Sequence, residues 1–430
     1  MAKTETRRIG LSLGADLCWP AAYEALMGRL DLSLPISRKQ VQFEVDRVTV
    51  EPYDLRYKPK YDLVIDRLTH WFPMTREWIK KIAIMDEVYV LNNPWAIQSM
   101  EKHTSYCAMM RLGLPVPETW LVPPKAYPAK GEDLHTRDIE TVVKRYNKLF
   151  DLRDVGDAVG YPAFLKPYDG GGWIGVKRVT DGDTLKTAYD DSGLRLNHLQ
   201  AGVKDWDVFV RAIGIGPQVN VIKYDPDKPL HDRYQVAFHY LDAEEWSQAS
   251  RVARIINAFF GWDFNSVEML RSDGVLHPID YANACPDSQV TSLHFHFPWV
   301  VKSIIRWSVF CAATRRKPTL NLNWRPYFKI ADNKKLDLDE KLARYEEIAL
   351  KHFDAERFAR FDKEHLADLD RVAFDYFGTK EFHDVVRAKV VDSGYPPHEI
   401  KRFTDHFFGL VQFWRKTEAD RLGFDFTTDV

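Results

Sequence analysis

A lysine followed by a glycine-rich loop is the first feature that could do chemistry. Residues 164–176 read FLKPYDGGGWIGV, so that Lys166 ends a predicted strand just before the loop. Glycines let backbone N–H groups approach an anion closely because no Cβ blocks the path, and a lysine supplies a point charge for phosphate. The pattern favours a phosphate site; a glycine-rich hairpin with a surface lysine is the alternative. The loop residues concerned are Gly170, Gly171, Gly172, Trp173 and Gly175.

A pair of carboxylates follows a hundred residues later. Residues 264–283 predict two strands joined by a Ser-Asp-Gly turn at 272–274. This hairpin places Glu268 and Asp280 on adjacent strands, with Asn283 after them. Two carboxylates and an amide oxygen are hard ligands of the kind that hold Mg²⁺ against nucleotide phosphates. Two solvated carboxylates on an ordinary hairpin are the alternative.

A third segment, residues 208–221 (VFVRAIGIGPQVNV), reads as strand, short connector and strand. Its backbone groups could face a planar base, although an ordinary hairpin fits the same pattern.

In their order and spacing, these features resemble the ATP-grasp superfamily over about residues 10–310. An α/β segment ends in LNNPWAI at 91–97. MEKHTS at 100–105 is similar to the family's lysine-bearing helix, and LGLPVPET at 112–119 is similar to the segment that follows that helix. The strand lysine, the glycine loop, the GPQV at 216–219 and the carboxylate hairpin follow in the family's order.

The resemblance implies a role for each matching position. Lys102 and Lys166 would contact the nucleotide phosphates, and the loop from Gly170 to Gly175 would fold over them. The metal ligands would be Glu268, Asp280 and Asn283, although the last two are three residues apart where the family has two. Either the backbone bulges at residues 281–282, or Asn283 is not a ligand. The adenine and ribose contacts would be Arg211, Ala212, Ile213, Gly214 and Gln218.

The substrate arginine that often precedes the family's first metal ligand is absent, since Asn265 and Ser266 stand there. By proximity in sequence, Arg233, Arg251 and Arg254 are the nearest candidates for this role, and Arg233 and Arg254 are predicted to join Lys166 as catalytic residues.

The resemblance therefore implies an ATP- and Mg²⁺-dependent ligase that activates a carboxylate as an acyl phosphate and joins it to an amine. A small-molecule kinase is the alternative, because IDYANACP at 279–286 has some likeness to inositol-phosphate kinases of this superfamily. A non-catalytic ATP-binding module is a third. The acid and amine substrates are not identified by the sequence.

The pattern of helices and strands around these residues predicts an α/β (α+β) protein. Strands alternate with helices in an amino-terminal domain over residues 1–96, which implies a mostly parallel sheet with an edge strand at 42–50. An ATP-grasp core would follow over 97–325, with lobes at about 97–210 and 211–325 and a strand at 234–240. Periodic apolar residues predict an all-helical extension over 326–430.

Composition limits the partners and the compartment. The net charge is −2 and 28% of residues are charged, so the basic excess of a nucleic-acid or membrane-surface protein is absent. No apolar run approaches the roughly 18 residues of a membrane span. Four scattered cysteines favour reduced thiols and a cytoplasmic protein.

His294 and His296 alternate as in a strand and are predicted to be structural. A homodimer is left open.

Aromatic residues are the compositional excess, with 13 Trp, 19 Tyr and 25 Phe. Many fall in the predicted carboxy-terminal helices, where amphipathic spacing requires them to be buried against the body of the protein or a partner subunit.

Overall fold

A computed structural model describes residues 3–67, 72–96, 101–132, 136–146, 148–169 and 173–426. The chain divides into two compact units. The larger unit takes residues 1–98, 210–266 and 284–430, and the smaller unit takes residues 99–209 and 267–283. The three-domain division at residues 96 and 325 stays a prediction.

A five-stranded sheet opens the larger unit. Its strands are β1 (Lys3–Ser12), β2 (Ser33–Ile36), β3 (Lys39–Arg47), β4 (Leu63–Asp66) and β5 (Tyr89–Leu91). The order is β2-β3-β1-β4-β5, with β1 parallel to β3 and β4, and β4 parallel to β5. The antiparallel β2 and the parallel β5 are the two edge strands. The predicted edge strand at residues 42–50 is therefore wrong in its position, because β3 is paired on both sides.

Helices α1 (Cys18–Leu30) and α2 (Pro73–Asp86) lie between these strands in the sequence. Helix α2 buries Trp78, Ile79 and Ile82 in one cluster with Val64 of β4 and Val90 of β5. These strands are short and almost wholly apolar, as parallel strands covered by helices must be.

The smaller unit contains a four-stranded antiparallel sheet. Its elements in chain order are α3 (Lys102–Leu112), β6 (Thr119–Val122), α4 (Ile139–Tyr146), α5 (Leu152–Val159), β7 (Ala163–Pro167), β8 (Lys177–Val179), α6 (Gly182–Ser192) and β9 (Asn197–Ala201). The strand order is β6-β9-β7-β8. Leu165, Val179 and Leu199 lie in its buried cluster.

The next elements are β10 (Val208–Ile215), β11 (Gln218–Lys223), α7 (Ala243–Phe260), β12 (Phe264–Ser272) and β13 (Val275–Asn283). The boundary between the units falls inside β10 and again inside β12. Strand β10 pairs antiparallel with β11, and β12 neighbours β13. The predicted strand at residues 234–240 is wrong: the segment contributes a single bridge, from Tyr234 to Tyr224.

Helices joined by connecting segments make up most of the remaining described residues, which confirms the α/β class with a helical carboxy-terminal region. They are α8 (Val290–Leu293), α9 (Phe297–Thr314), α10 (Arg325–Ala331), α11 (Leu338–His352), α12 (Ala355–His365), α13 (Leu369–Tyr376), α14 (Lys380–Asp392) and α15 (Ile400–Leu422). Residues His294–His296 form a 3₁₀ turn, so the predicted strand-like alternation is wrong. None of the helices in the described ranges is long and apolar enough to cross a membrane.

Many aromatic residues of the carboxy-terminal helices are buried within the larger unit. Helix α9 is its centre: the ring of Trp307 packs edge-on against Phe353 and Phe358, and Phe297 packs against Phe377 and Phe382. Burial of the carboxy-terminal aromatic residues against the body of the protein is thus confirmed for these residues.

Candidate functional site

Lys166 lies at the end of β7, in the interior of the smaller unit. Its side chain is 7% exposed, and its Nζ donates to Gln200 Oε1 at 2.7 Å and to the carbonyl of Ile279 at 3.3 Å. Gln200 is in turn fixed by donating to Thr119 Oγ1 at 2.9 Å. The ammonium is therefore held in one position by groups on three strands, which is the preorganisation that a phosphate-binding cation needs.

Burial changes the acidity of this lysine. Loss of hydration lowers the pKa of Lys166 to about 8, while Asp280 and Glu268 act to raise it and Lys102 acts to lower it further. Lys166 is thus charged at pH 7 and titrates close to physiological pH.

Lys102, the second predicted phosphate lysine, is the first residue of α3 and is also buried. Its Nζ forms an ion pair with Asp280 Oδ2 at 3.0 Å. The structure therefore brings together both predicted lysines and a predicted metal ligand. In a buried cluster of this composition the internal ion pair can open, so that the lysines bind a polyanion and the carboxylate binds a cation.

Glu268 and Asp280 lie on the neighbouring strands β12 and β13, as predicted, and Glu268 is almost fully buried. Both carboxylates act electrostatically on Lys166 and on Tyr106, where burial is the main cause of a pKa well above the ordinary value. No group of three or more His, Cys, Asp or Glu side chains in the described part of the chain could hold a metal. Mg²⁺ is commonly bound by one or two carboxylates together with substrate phosphates, so this donor set fits Mg²⁺ with a nucleotide.

Asn283 ends β13, three residues after Asp280. Buried positions along β13 alternate at Leu276 and Pro278 and then shift by one to Tyr281. The shift falls beside residues 281–282, where a bulge was one of the two alternatives, and the role of Asn283 as a ligand stays a prediction.

The glycine loop is described only from Trp173 onward; Gly170, Gly171 and Gly172 lie outside the described residues. Trp173 is 40% exposed and has a positive φ of 66°, which strains a side chain of this size. Gly175 has a φ of 78°, and a Cβ there would lie 2.9 Å from Cγ of Pro167, the residue after Lys166. The loop thus returns against the end of β7, with an exposed aromatic ring on it.

The predicted adenine segment lies on β10, in the larger unit. Ala212 and Ile213 are fully buried and pair with Val221 and Asn220 of β11. Arg211 lies over the rings of two tyrosines and donates to the hydroxyl of Tyr234 at 2.9 Å. A Cβ on Gly214 would collide with Asn257. Assignment of these residues to adenine stays a prediction.

Gln218 and Arg254 are brought together at a cleft of about 330 Å³ in the larger unit, with Glu346 of α11 also in its wall. Gln218 Nε2 donates to the carbonyls of Ile215 and Ser303, and Arg254 is ion-paired with Glu346. Arg233 Nε donates to the carbonyl of Lys228 at 3.0 Å. The ribose role of Gln218 and the catalytic roles of Arg233 and Arg254 stay predictions.

Sequence reasoning missed strand β9 and with it two neighbours of the lysines. His198 lies opposite Lys166 across the β7–β9 pair, and its Nε2 is 3.2 Å from Nδ1 of His103. Burial, then His103 and the two lysines, lower the pKa of His198 to about 4, so it is neutral at pH 7. Polar His198 and Gln200 alternating with Leu199 and Ala201 is a period-two signal that would have predicted this strand.

No family model matches the chain, and no curated protein matches it. Among solved structures, the RimK domain ATP-grasp protein from Sphaerobacter thermophilus is 14% identical, with a TM-score of 0.44 over 70% of this chain and 99% of that chain. D-alanine–D-alanine ligase from Bacillus anthracis, complexed with ATP, is 13% identical, with a TM-score of 0.42 over 81% and 99%. N5-carboxyaminoimidazole synthase from Aspergillus clavatus, with ADP and 5-aminoimidazole ribonucleotide, is 14% identical, with a TM-score of 0.44 over 67% and 72%.

A protein described as ATP-grasp is thus among the solved structures to which this chain is similar.

The buried lysine gives a pH signature. If Lys166 has its predicted role, the affinity for ATP should fall above pH 8, because Lys166 loses its proton there and only the charged form attracts phosphate. From pH 7 to 9 the apparent Kd should rise about tenfold. Titration calorimetry at a series of pH values measures this. Lys166→Arg, which stays charged over the range, should abolish the pH dependence. If the affinity did not change between pH 7 and 9.5, the assignment of Lys166 as a phosphate-binding residue would be contradicted.

Proposed function

We propose that this protein is an ATP-dependent carboxylate–amine ligase of the ATP-grasp type. The observation that supports it is the buried cluster of two lysines and two carboxylates in the smaller unit: Lys102, Lys166, Glu268 and Asp280. Phosphoryl transfer depends mainly on positioning and charge neutralisation, and this cluster supplies fixed charges of both signs.

The reaction has two steps. A carboxylate oxygen of the acid attacks the γ-phosphorus of ATP, the bond to the β,γ-bridging oxygen breaks, and ADP leaves with an acyl phosphate formed. The amine nitrogen then attacks the acyl carbon, the carbon–oxygen bond to phosphate breaks, and phosphate and a proton leave as the amide forms.

The residues of the cluster divide the work between them. Lys166 and Lys102 would bind phosphate oxygens and hold them through the transfer. Glu268 and Asp280 would hold Mg²⁺, which supplies positive charge against the phosphates. Trp173 would cover the bound nucleotide. All four cysteines are free thiols, which supports a cytoplasmic site of action.

The test supplies ATP and MgCl₂ with pooled amino acids and small acids, and measures ADP and free phosphate. Phosphate release that needs both an acid and an amine is expected. A phosphorylated product with ADP but no free phosphate would instead assign a kinase. ATP-dependent thermal stabilisation without turnover would assign a binding module.

Glu268→Gln should reduce turnover by at least about 100-fold, because the amide lacks the charge that holds Mg²⁺. Asp273→Asn is the matched control, since Asp273 is an exposed carboxylate in the turn of the same hairpin. Equal activity of the two variants would refute the metal assignment.

A further inference from the structure

The five-stranded sheet of the larger unit has a topological switch point between β1 and β4. From β1 the chain passes to β3 on one side, and β4 then lies on the other side of β1. Both strands run parallel, so their carboxyl ends meet at one edge of the sheet. Ligands of open α/β sheets bind outside the carboxyl ends of strands at such a point. Asp16 follows β1 here, and Arg67 directly follows β4.

Arg67 is buried at this switch point and is only partly paired. It is 3% exposed, and its Nε donates to Asp16 Oδ2 at 3.3 Å, a long bond for a charged pair. Its Nη1 is buried and has no hydrogen-bond partner among the described residues. Arg7, a buried arginine on the same sheet, contrasts with it: Nε donates to the carbonyl of Ala312 and Nη1 to Glu5. A buried guanidinium nitrogen without a partner costs free energy of folding, so the position of Arg67 requires an explanation. Arg7 requires none, because its Nε and Nη1 both have partners.

Two carboxylates near Arg67 carry the opposite charge. Burial acts to lower the pKa of Arg67, but Asp16, and with it Cys285 and Asp287, raise it above the ordinary value. Asp16 is also held by Gln289, whose Nε2 donates to Asp16 Oδ1 at 3.3 Å. Asp287 is half-buried and accepts from the backbone N–H of Gln289. Arg67 thus stays charged, with a second carboxylate nearby.

We propose that the cluster of Arg67, Asp16 and Asp287 is the binding site for an α-amino acid. This amino acid is a substrate of the ligase proposed above, and its role as a substrate rests on that function. The unpartnered Nη1 of Arg67 takes one oxygen of the amino acid's carboxylate. Asp287 takes its ammonium group. A cation and an anion side by side at a switch point match a zwitterion better than a phosphate or a simple acid, each of which would leave Asp287 as an uncompensated charge.

Binding is measured by titration calorimetry without ATP, using the 430-residue chain and the twenty common L-amino acids as probes. At least one should bind. Its decarboxylated amine and its deaminated acid should each bind about 10- to 150-fold more weakly, because each loses a hydrogen bond to a charged group. Inorganic phosphate should not compete. Failure of all twenty amino acids to bind, or equal binding of the deaminated acid or of phosphate, would overturn the proposal.

Arg67→Met should weaken binding of the amino acid by about 10- to 150-fold, and so should Asp287→Asn. Asp287 is half-buried, so this second variant is the one expected to fold normally if loss of Arg67 destabilises the sheet. Arg47→Met removes an exposed arginine that is paired with Glu24 in the same unit, and it should bind normally. Unchanged binding in folded Asp287→Asn or Arg67→Met would overturn the site.

The two proposals fail separately. Arg67-dependent binding of an amino acid without any ATP turnover would support this site and refute the ligase. Turnover with an acid and an amine, together with normal binding by Asp287→Asn and Arg67→Met, would support the ligase and refute the site.

Discussion

Replacing Lys166 by alanine is expected to lower ATP turnover by at least about 100- to 1000-fold. The side chain is a buried ammonium that Gln200 and the carbonyl of Ile279 hold in place. The other lysine of the cluster, Lys102, is paired with Asp280 and cannot take over this position without losing that pair. Removing a preorganised charge from a site that excludes water costs far more than removing one from a surface.

Steady-state ADP release measures the effect of Lys166→Ala, and circular dichroism establishes that the variant is folded. Lys177→Ala is the control, since Lys177 is an exposed lysine on β8, the strand beside β7, and its loss should leave turnover unchanged. If Lys166→Ala kept full activity in a folded protein, the central assignment of the proposed function would be wrong.

Replacing Phe382 by alanine is expected to destabilise the larger unit by about 3–5 kcal/mol. Phe382 is fully buried on α14, and its ring contacts those of Phe297 on α9, Tyr376 on α13 and Phe408 on α15. Deleting it leaves a cavity where four helices meet, and the lost contacts cannot be recovered by the collapse of one helix alone.

Urea denaturation followed by tryptophan fluorescence measures the change in the free energy of unfolding. Phe413→Ala is the matched control on α15: its ring is 43% exposed, so the cost should stay below about 1 kcal/mol. Similar losses for the two variants would show that the carboxy-terminal helices do not form the tightly packed layer described above.

The cluster around Lys166 could be predicted because its signals are local in sequence. A lysine beside a glycine loop and two carboxylates across a tight turn each need only a short stretch of chain to be recognised. Strand β9 also carries a local signal, the alternation of its polar and apolar residues, but the burial of its polar residues could not be predicted: Asn197, His198 and Gln200 are almost fully buried. Their burial is set by the strands on either side, which single-sequence patterns do not show.

The pairs that depend on tertiary packing could not be predicted. Arg67 and Asp16 are 51 positions apart, and only the parallel pairing of β1 with β4 brings them together. Arg254 lies near the hairpin of Glu268 and Asp280 in sequence, but its partner Glu346 lies 92 positions further along the chain. In both cases the sheet or helix packing determines the contact, and neither residue type identifies its partner in advance.

The smaller unit is discontinuous in sequence, and this has a consequence for synthesis of the protein. Its lysines lie in the first segment, residues 99–209, whereas Glu268 and Asp280 arrive with residues 267–283. Domains generally fold as units while the chain emerges from the ribosome. A nascent chain that has reached residue 209 carries Lys102 and Lys166 without either carboxylate, and the 57 residues that follow belong to the other unit. The charge-balanced cluster therefore cannot form before residues 267–283 have been synthesised, and a fragment that ends between residues 166 and 267 lacks both carboxylates of the cluster.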